Sequence, residues 1–455
     1  MKTVFSEKLD TPVAGEYDVI VAGSGPAGSA AAITAARAGA RTLLLECGGC
    51  LGGVWTAGQL SWLFEMDKRG FTNEINRELL LRGARRGLKA ARYTYEIEEM
   101  KLLLEELCIA SGVDFLLNTR VTKADMDEHK RVRSVVTESK SGRQAWNAKI
   151  FIDATGDGDL GALAGCGFDY GEEGSGMAQP MTYMALIVVR DAEQLKDFIS
   201  FYETEDNLPG TLGKLVVESG EDWLKRHVWR RFKAELERAG IEPSYSQATL
   251  FQVRDNLLAL MMNHEFGVSA IDTKEITDAT VRARAEINRT VKALRILGGP
   301  WEGITLAATA QHIGVREGRR IHGHYTVTKK DLVEGTRQED AVVRVTYGAD
   351  VHSLDKHRSD KEEGLNHGGI QSRPYDIPFR ALIAKDVDGL LMAGRCISGD
   401  FIAHSSYRVT GVASTLGQAA GAAAAICVQS GRLPQEIEWK EAEEVLDRVY
   451  KDVLL

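Results

Sequence analysis

The sequence predicts an α/β protein built around a parallel, dinucleotide-binding sheet that carries a β-meander. Three observations predict it. A β-branched run ends in a Gly-x-Gly-x-x-Gly turn and an alanine-rich helix over residues 19–38. Several short β-like segments between Val113 and Ile152 lead straight into a second glycine turn at 155–159. Far downstream, residues 387–426 run as a strand, a Gly-Arg pair, a loop and a helix of very small residues.

The first of these is the most informative. Val19, Ile20 and Val21 are β-branched and flanked by turn residues, so Tyr17–Ala22 reads as a short buried strand. Gly23-Ser-Gly25-Pro-Ala-Gly28 follows at once, then a helix from about Ser29 to Ala38 that ends at Gly39, a glycine suited to a left-handed cap. A second strand, Arg41–Leu45, delivers Glu46. The three glycines serve different mechanical ends. Gly23 turns the chain tightly, Gly25 lets a pyrophosphate approach the backbone, and Gly28 lets helix and strand pack closely. The helix N-terminus offers free N–H groups and a positive dipole end to the phosphates. Glu46 lies 18 residues beyond Gly28 and is placed to accept from ribose hydroxyls. The turn by itself does not separate FAD from NAD.

The segments VDFLLN, RVTKADM, RVRSVVTES and AWNAKIFI read as the meander, inserted into the Rossmann unit. A strand Ile150–Ala154 then enters Thr155-Gly156-Asp157-Gly158-Asp159, a turn that allows a second backbone approach to the dinucleotide. In the middle of the chain NLLALMMNHEFGVS reads as a strand. DATVRARAEINRTVKALRIL reads as a helix with Val281, Ile287, Val291 and Leu294 on its apolar face, stopped by Gly298-Gly299-Pro300. A strand Leu390–Ala393 enters Gly394-Arg395, and a helix begins at about Val409 whose Ala, Gly, Ser and Thr residues suit a flat ligand or a neighbouring backbone. No second glycine turn in a strand–helix setting is present. A dedicated NAD(P)H domain is therefore not expected, and the electron partner must come directly to the bound cofactor.

Bulk properties bound the rest. At 455 residues the chain suits two or three domains, and 44% hydrophobic with 27% charged residues is ordinary globular composition. The net charge of -9 is scattered, with no basic block that would mark a nucleic-acid surface. No signal-peptide core or membrane span is read from the sequence. Six dispersed cysteines do not make a disulfide framework, and the expected compartment is the cytoplasm.

The ordered set GSGPAG, CLGGVWTAG (50–58), DATGDGDLGALAG (153–165), QPMTYM (179–184), HIGVREGRRIHGHYTVTKKDL (312–332) and AGRCIS…SYRVTG…GQAAG (393–421) resembles the bacterial FAD-dependent oxidoreductases with a glutathione-reductase-type Rossmann domain, related to fumarate reductase flavoproteins. The resemblance spans nearly the whole chain. It implies one non-covalent FAD and a split FAD-binding domain, 1–165 and 375–455, around an α+β substrate or cap domain at 166–374. Besides Gly23, Gly25, Gly28 and Glu46, the expected cofactor residues are Pro26, Ala27, Gly53, Thr56, Val121, Ala154, Thr155, Gly156, Asp157, Gly394, Arg395, Arg408 and Val409.

Candidates for chemistry are few. His404, in the stretch Phe401–Arg408 read as a loop, lies just before the small-residue helix on the side expected to face the flavin, and imidazole titrates near neutrality. It is the expected proton acceptor, or else a residue that caps its loop. Arg408 would hold a carboxylate, polarise a carbonyl oxygen or bind FAD. Asp350 and His352 form a second polar cluster with His357 and His367 close by in sequence, and of these His352 is retained as catalytic. Arg316, Glu317, Arg319 and Arg320 read as an ion-pair network, with anion binding by Arg316 as the alternative. Cys47 and Cys50 have redox spacing but follow Glu46 directly, among glycines, and are read as part of a turn. No metal site is expected. The expected reaction is hydride transfer between flavin N5 and a small polar substrate, most simply oxidation of a C–OH or C–N centre, with an unidentified electron acceptor or donor. The alternatives are fumarate-reductase-like reduction of an activated C=C bond and a nucleotide-binding scaffold without turnover.

Overall fold

A computed structural model describes residues 7–86, 92–200, 221–356 and 365–451. Its organising unit is β1 (Val13–Ala22), α1 (Pro26–Arg37) and β2 (Thr42–Leu45), with β1 and β2 parallel from Val19 opposite Thr42 to Ala22 opposite Leu45. β1 begins four residues before the expected Tyr17 because its outer half pairs with a strand that the sequence had split into two pieces. α1 begins at Pro26 rather than Ser29: the missing N–H of proline is not needed in the first turn, and its fixed φ suits a helix start. After Ala38, Gly39 takes a φ of +96° and turns the chain toward β2.

Beyond two further helices, α2 (Phe71–Leu81) and α3 (Ile97–Ala110), the sheet continues with β3 (Asp114–Leu116), β4 (Arg120–Met126), β5 (Val132–Ser139) and β6 (Gly142–Asp153). β6 serves both the meander and the parallel core. Its first half pairs antiparallel with β5, from Gly142 to Asn147, while Ala145–Asp153 pairs parallel with β1. The last strand, β11 (Leu390–Met392), pairs parallel with β6 at Phe151–Asp153. The order is β3-β2-β1-β6-β5-β4, with β11 beside the end of β6.

A second, antiparallel sheet lies between these segments in sequence. It comprises β7 (Ala185–Val188), β8 (Thr249–Arg254), β9 (Leu257–Met261) and β10 (Thr305–Thr309) in the order β8-β9-β7-β10. Helix α4 (Thr273–Leu297) helps to enclose its core, and Gly298 ends it as expected. Val281 is 58% exposed, contrary to the sequence reading. Ala279, Ala283, Ile287, Val291 and Leu294 keep a spacing of three or four, and Val281 lies out of that phase. Met181 to Ile313, with Trp62, supply this core; Ile321, Val327, Leu332, Val343 and Val345 pack instead into the first one, so the cores do not divide at the expected residue 374.

Phe401–Arg408 is not a loop. Phe401–Tyr407 forms helix α5, capped by the Asp400 carboxylate accepting from the Ala403 N–H at 2.7 Å. Helix α6 (Thr410–Ser430) follows, and its small residues meet a neighbouring backbone: a Cβ at Gly417 or Gly421 would strike the carbonyl oxygen of Ala27 or Ala31 on α1. α6 is long and apolar enough to cross a membrane, yet 89% of that stretch is buried within the protein, as in a core helix.

Candidate functional site

One cavity of about 700 Å³ runs from the first glycine turn to a cluster of charged and aromatic side chains contributed by later segments. At the glycine end, Gly23 has a φ of +89° and a Cβ there would strike Ala154. Gly28 does not line the cavity; a Cβ on it would run into the Gly23 carbonyl, so it serves close packing. Gly25 has open space where its Cβ would be, and Pro26 and Ala27 line the cavity beside it. No side chain caps α1 and no acid sits in its first turn, which leaves its N–H groups for an anion.

The Glu46 carboxylate lines the same end. It accepts from Ser24 N–H at 2.9 Å, Ser24 Oγ at 2.6 Å and Gly48 N–H at 2.6 Å. A carboxylate has about four lone-pair sites, and the fourth donor here is only the weak Cys47 thiol, 3.5 Å from Oε1, which a ribose hydroxyl can displace. Gly53 lies against Gly25, where a Cβ would touch the Gly25 Cα. Thr56 does not line the cavity: it is buried and donates to the Leu51 carbonyl, tying the 51–56 turn, because its Oγ1 points into its own loop. Val121, Ala154, Thr155, Gly156, Asp157, Gly394, Arg395, Arg408 and Val409 all line the cavity. Arg395 Nη2 pairs with Asp157 Oδ1 at 2.9 Å, while its buried Nη1 has no partner. α6 also starts without a side-chain cap, and Thr410 Oγ1 beside that start is buried without a partner.

Cys47 and Cys50 line the cavity at the Glu46 end, both as free thiols. Burial and then the Glu46 carboxylate push the Cys47 thiol up to about 11, so little thiolate exists near neutrality. Cys50 Sγ lies 3.6 Å from Thr56 Oγ1.

The other end is built from Arg316, Asp350, His352, Arg408, Tyr245 and Tyr347. Arg408 Nη2 donates to the Asp350 carbonyl at 2.9 Å and to Asp350 Oδ2 at 3.1 Å. His352 Nε2 lies 3.6 Å from the same Oδ2, its backbone N–H donates to Gln179 Oε1 at 3.0 Å, and its Nδ1 is buried without a partner. Burial, then Arg316, pushes His352 down to about 3, against the pull of Asp350. His264 lies behind, stacked on Tyr245 at 4.0 Å between ring centroids and edge-on to His352 at 4.9 Å.

His404 is not part of this cluster. It is fully buried, does not line the cavity, and neither ring nitrogen has a partner; its ring meets Tyr407 edge-on at 5.4 Å. His404 lies within α5 with its ring packed in the core, while Arg408, the C-cap residue where that helix ends, lines the cavity. Of the other polar residues noted in the sequence, Arg320 does form an ion pair with Glu317, and Arg319 pairs with Asp159 at 2.9 Å. The His367 ring bonds the Ala349 carbonyl at 3.0 Å, and His357 lies outside the described residues. Tyr245, His264 and Tyr347 escaped the sequence reading. The one local signal was a histidine closing the apolar run LALMMNH; its approach to Tyr245 depends on the long-range Tyr245 N–H to Met262 carbonyl bond at 3.3 Å.

The residues present fit FAD. A glycine cradle a Cβ would fill, two helix starts without side-chain caps and the unpartnered Arg395 nitrogen surround a cavity of cofactor size. A sequence model of the family described as FAD dependent oxidoreductase matches residues 18–446. No curated protein matches the chain. Among solved structures, the chain is similar to the myxobacterial chondrochloren halogenase, described as an FAD-dependent halogenase, at 12% identity over 96% of this chain and 79% of that one, with a TM-score of 0.50. A geranylgeranyl bacteriochlorophyll reductase-like protein from Thermoplasma acidophilum matches at 13% identity over 96% of this chain and 84% of that one, with a TM-score of 0.45. The p-nitrophenol 4-monooxygenase of Pseudomonas putida matches at 12% over 96% and 84%, with a TM-score of 0.46. At such identities the first is a likeness of fold alone.

Proposed function

The chain belongs to the FAD dependent oxidoreductase family and takes FAD as its cofactor, and from that premise we propose that it oxidises a C–OH or C–N centre of a small polar substrate. The observation that carries this reading is the continuous cavity joining the glycine turn to Arg316, Asp350, His352 and Arg408. When bound, FAD supplies a two-electron acceptor for a hydride.

His352 takes the substrate proton. An imidazole held at about 3 is a weak resting base. An alcohol that has lost hydride from its carbon, however, leaves a protonated carbonyl, a far stronger acid than imidazolium, whereas an amine leaves an iminium ion that keeps its proton and asks no base of the ring. Asp350, 3.6 Å from Nε2, then stabilises the charged ring. Aromatic walls, the buried Tyr245 and the half-buried Tyr347 among them, keep water from the reacting groups. The reverse polarity, reduction of an activated C=C bond with an arginine as proton donor, is the second reading, and it draws support from Arg316, pushed down to about 10 by burial and by Arg408.

We place the FAD-binding parts at 1–165 and 375–455, with Ile321 to Val345 packed onto the same core, supported by the docking of β11 against β6, and expect a cytoplasmic enzyme with a separate electron acceptor. Anaerobic mixing of the FAD-loaded protein with a panel of alcohols, amines and hydroxy acids tests the reading. Loss of the flavin's visible absorption with one class, reversed by oxygen or a dye, is the expected result. A flavin that light reduces but no substrate bleaches would leave the scaffold alternative in its place.

A further inference from the structure

The inner end of the cavity carries an uncompensated positive charge. Two guanidinium groups line it, Arg316 and Arg408, and the carboxylate among them is that of Asp350, which Arg408 already holds. Arg316 is different: its Nη1 donates to the Pro180 carbonyl and to Thr182 Oγ1, both at 2.7 Å and both uncharged, and among the described residues it has no ion pair. Three other secluded arginines each have a carboxylate: Glu74 for Arg37 at 2.7 Å, Glu317 for Arg320 and Asp157 for Arg395. Enclosing a cation without a counter-charge is expensive unless a ligand brings one. Further donors stand ready at the same end: Arg408 Nε and Thr410 Oγ1 are buried without partners, and both residues line the cavity.

We propose that Arg316, with Arg408, binds the carboxylate of the substrate, so that the oxidised compound is a small organic acid with a C–OH or C–N group within reach of His352. This rests on the reading of the cavity as a substrate site. One monoanionic carboxylate balances the two arginines and Asp350, whereas a phosphate dianion would overshoot. The planar fork of a guanidinium matches a carboxylate edge. The repulsion from Arg408 that helps to push Arg316 down to about 10 is relieved by the same ligand.

The test titrates the FAD-loaded protein with acetate, propionate and benzoate, each against its neutral amide, and follows both the flavin's visible spectrum and the thermal midpoint, which rises with bound ligand. At least one carboxylate should bind saturably and its amide at least about 10-fold more weakly, as loss of a charge-assisted hydrogen bond implies. Arg316→Met should weaken that carboxylate by a similar factor and leave FAD affinity unchanged, with Arg316→Lys between the two. Equal binding of acid and amide, no saturable binding by any acid, or an Arg316→Met variant that loses FAD while keeping the acid overturns the proposal. Acids that bind while no substrate bleaches the flavin leave this inference standing and defeat the oxidation reading. A neutral alcohol or amine that bleaches the flavin without competition from any acid does the reverse.

Discussion

Lowering the pH from about 7 to about 5.5 should cost this protein stability through His404, and the amount follows from where the ring sits. The ring is fully buried, with no hydrogen-bond partner on either nitrogen, and burial, followed by Arg320, Arg408 and Arg395, holds its titration well below the usual histidine range. The folded state therefore keeps it neutral while the unfolded chain protonates near ~6.5. A group whose native pKa is depressed contributes stability above the unfolded value and loses it as pH falls below. The unfolded state gains roughly 0.2 kcal/mol from this site at about pH 7 and roughly 1.4 kcal/mol at about pH 5.5, a loss of about 1.2 kcal/mol in stability. His404→Met removes the titrating ring at similar volume and breaks no hydrogen bond, so it should cost less than ~1.5 kcal/mol at neutral pH. Urea unfolding of both proteins at the two pH values isolates the effect, because the double difference cancels His264, His352 and every carboxylate. A double difference near zero would refute the reasoning and mean that His404 reaches water or a partner. The same variant should keep its rate of flavin reduction, since His404 does not line the cavity.

Three further outcomes are expected. Gly28→Ala should destabilise the protein even without FAD, because its Cβ meets the Gly23 carbonyl, whereas Gly25→Ala should fold normally and bind FAD weakly; fluorescence titration and thermal melts separate the two. His352→Gln should slow flavin reduction by about 10²-fold in stopped flow. In the wild type, whose His352 is held at about 3, the rate should show no histidine-type fall as pH drops from about 8 to about 5, since the neutral ring persists until pH nears its native value. The double variant Cys47→Ser, Cys50→Ser should keep both flavin and turnover, and a long-wavelength charge-transfer band on two-electron reduction of the wild type alone would contradict that.

What the sequence made legible were local arrangements. The Gly23–Gly28 turn, its strand and its helix are specified by neighbours in the chain, so the first strand–helix–strand unit was readable to within a few residues. The small residues of α6 were also visible, but not which of two uses they served until Gly417 and Gly421 met α1. His404 failed for a related reason. Its place before α6 suggested proximity to the ligand, yet its ring packs into the core, and it is Arg408, at the end of α5, that reaches the cavity. The inner end of the cavity was least legible as a site: Arg316, Asp350, His352 and Arg408 were noted singly, but with Tyr245 they come from four separate stretches of chain that meet only through tertiary pairing. Val281 shows that apolar character without phase misleads: two alanines in register outrank it.

The placement of β11 beside β6 bears on the order of assembly. Leu390–Met392 docks against Phe151–Asp153, and α6 lays its glycines on the backbone of α1, so pieces made early wait for pieces made late. While a ribosome extends the chain between those points, at the usual pace roughly tens of seconds pass with the end of β6 and the alanine face of α1 uncovered. The nucleotide cradle exists during that interval without Gly394, Arg395 or the start of α6. Capture of the cofactor is thereby tied to the closing of the sheet, and a nascent chain stalled before residue 390 would present an apolar seam to chaperones instead of a binding site.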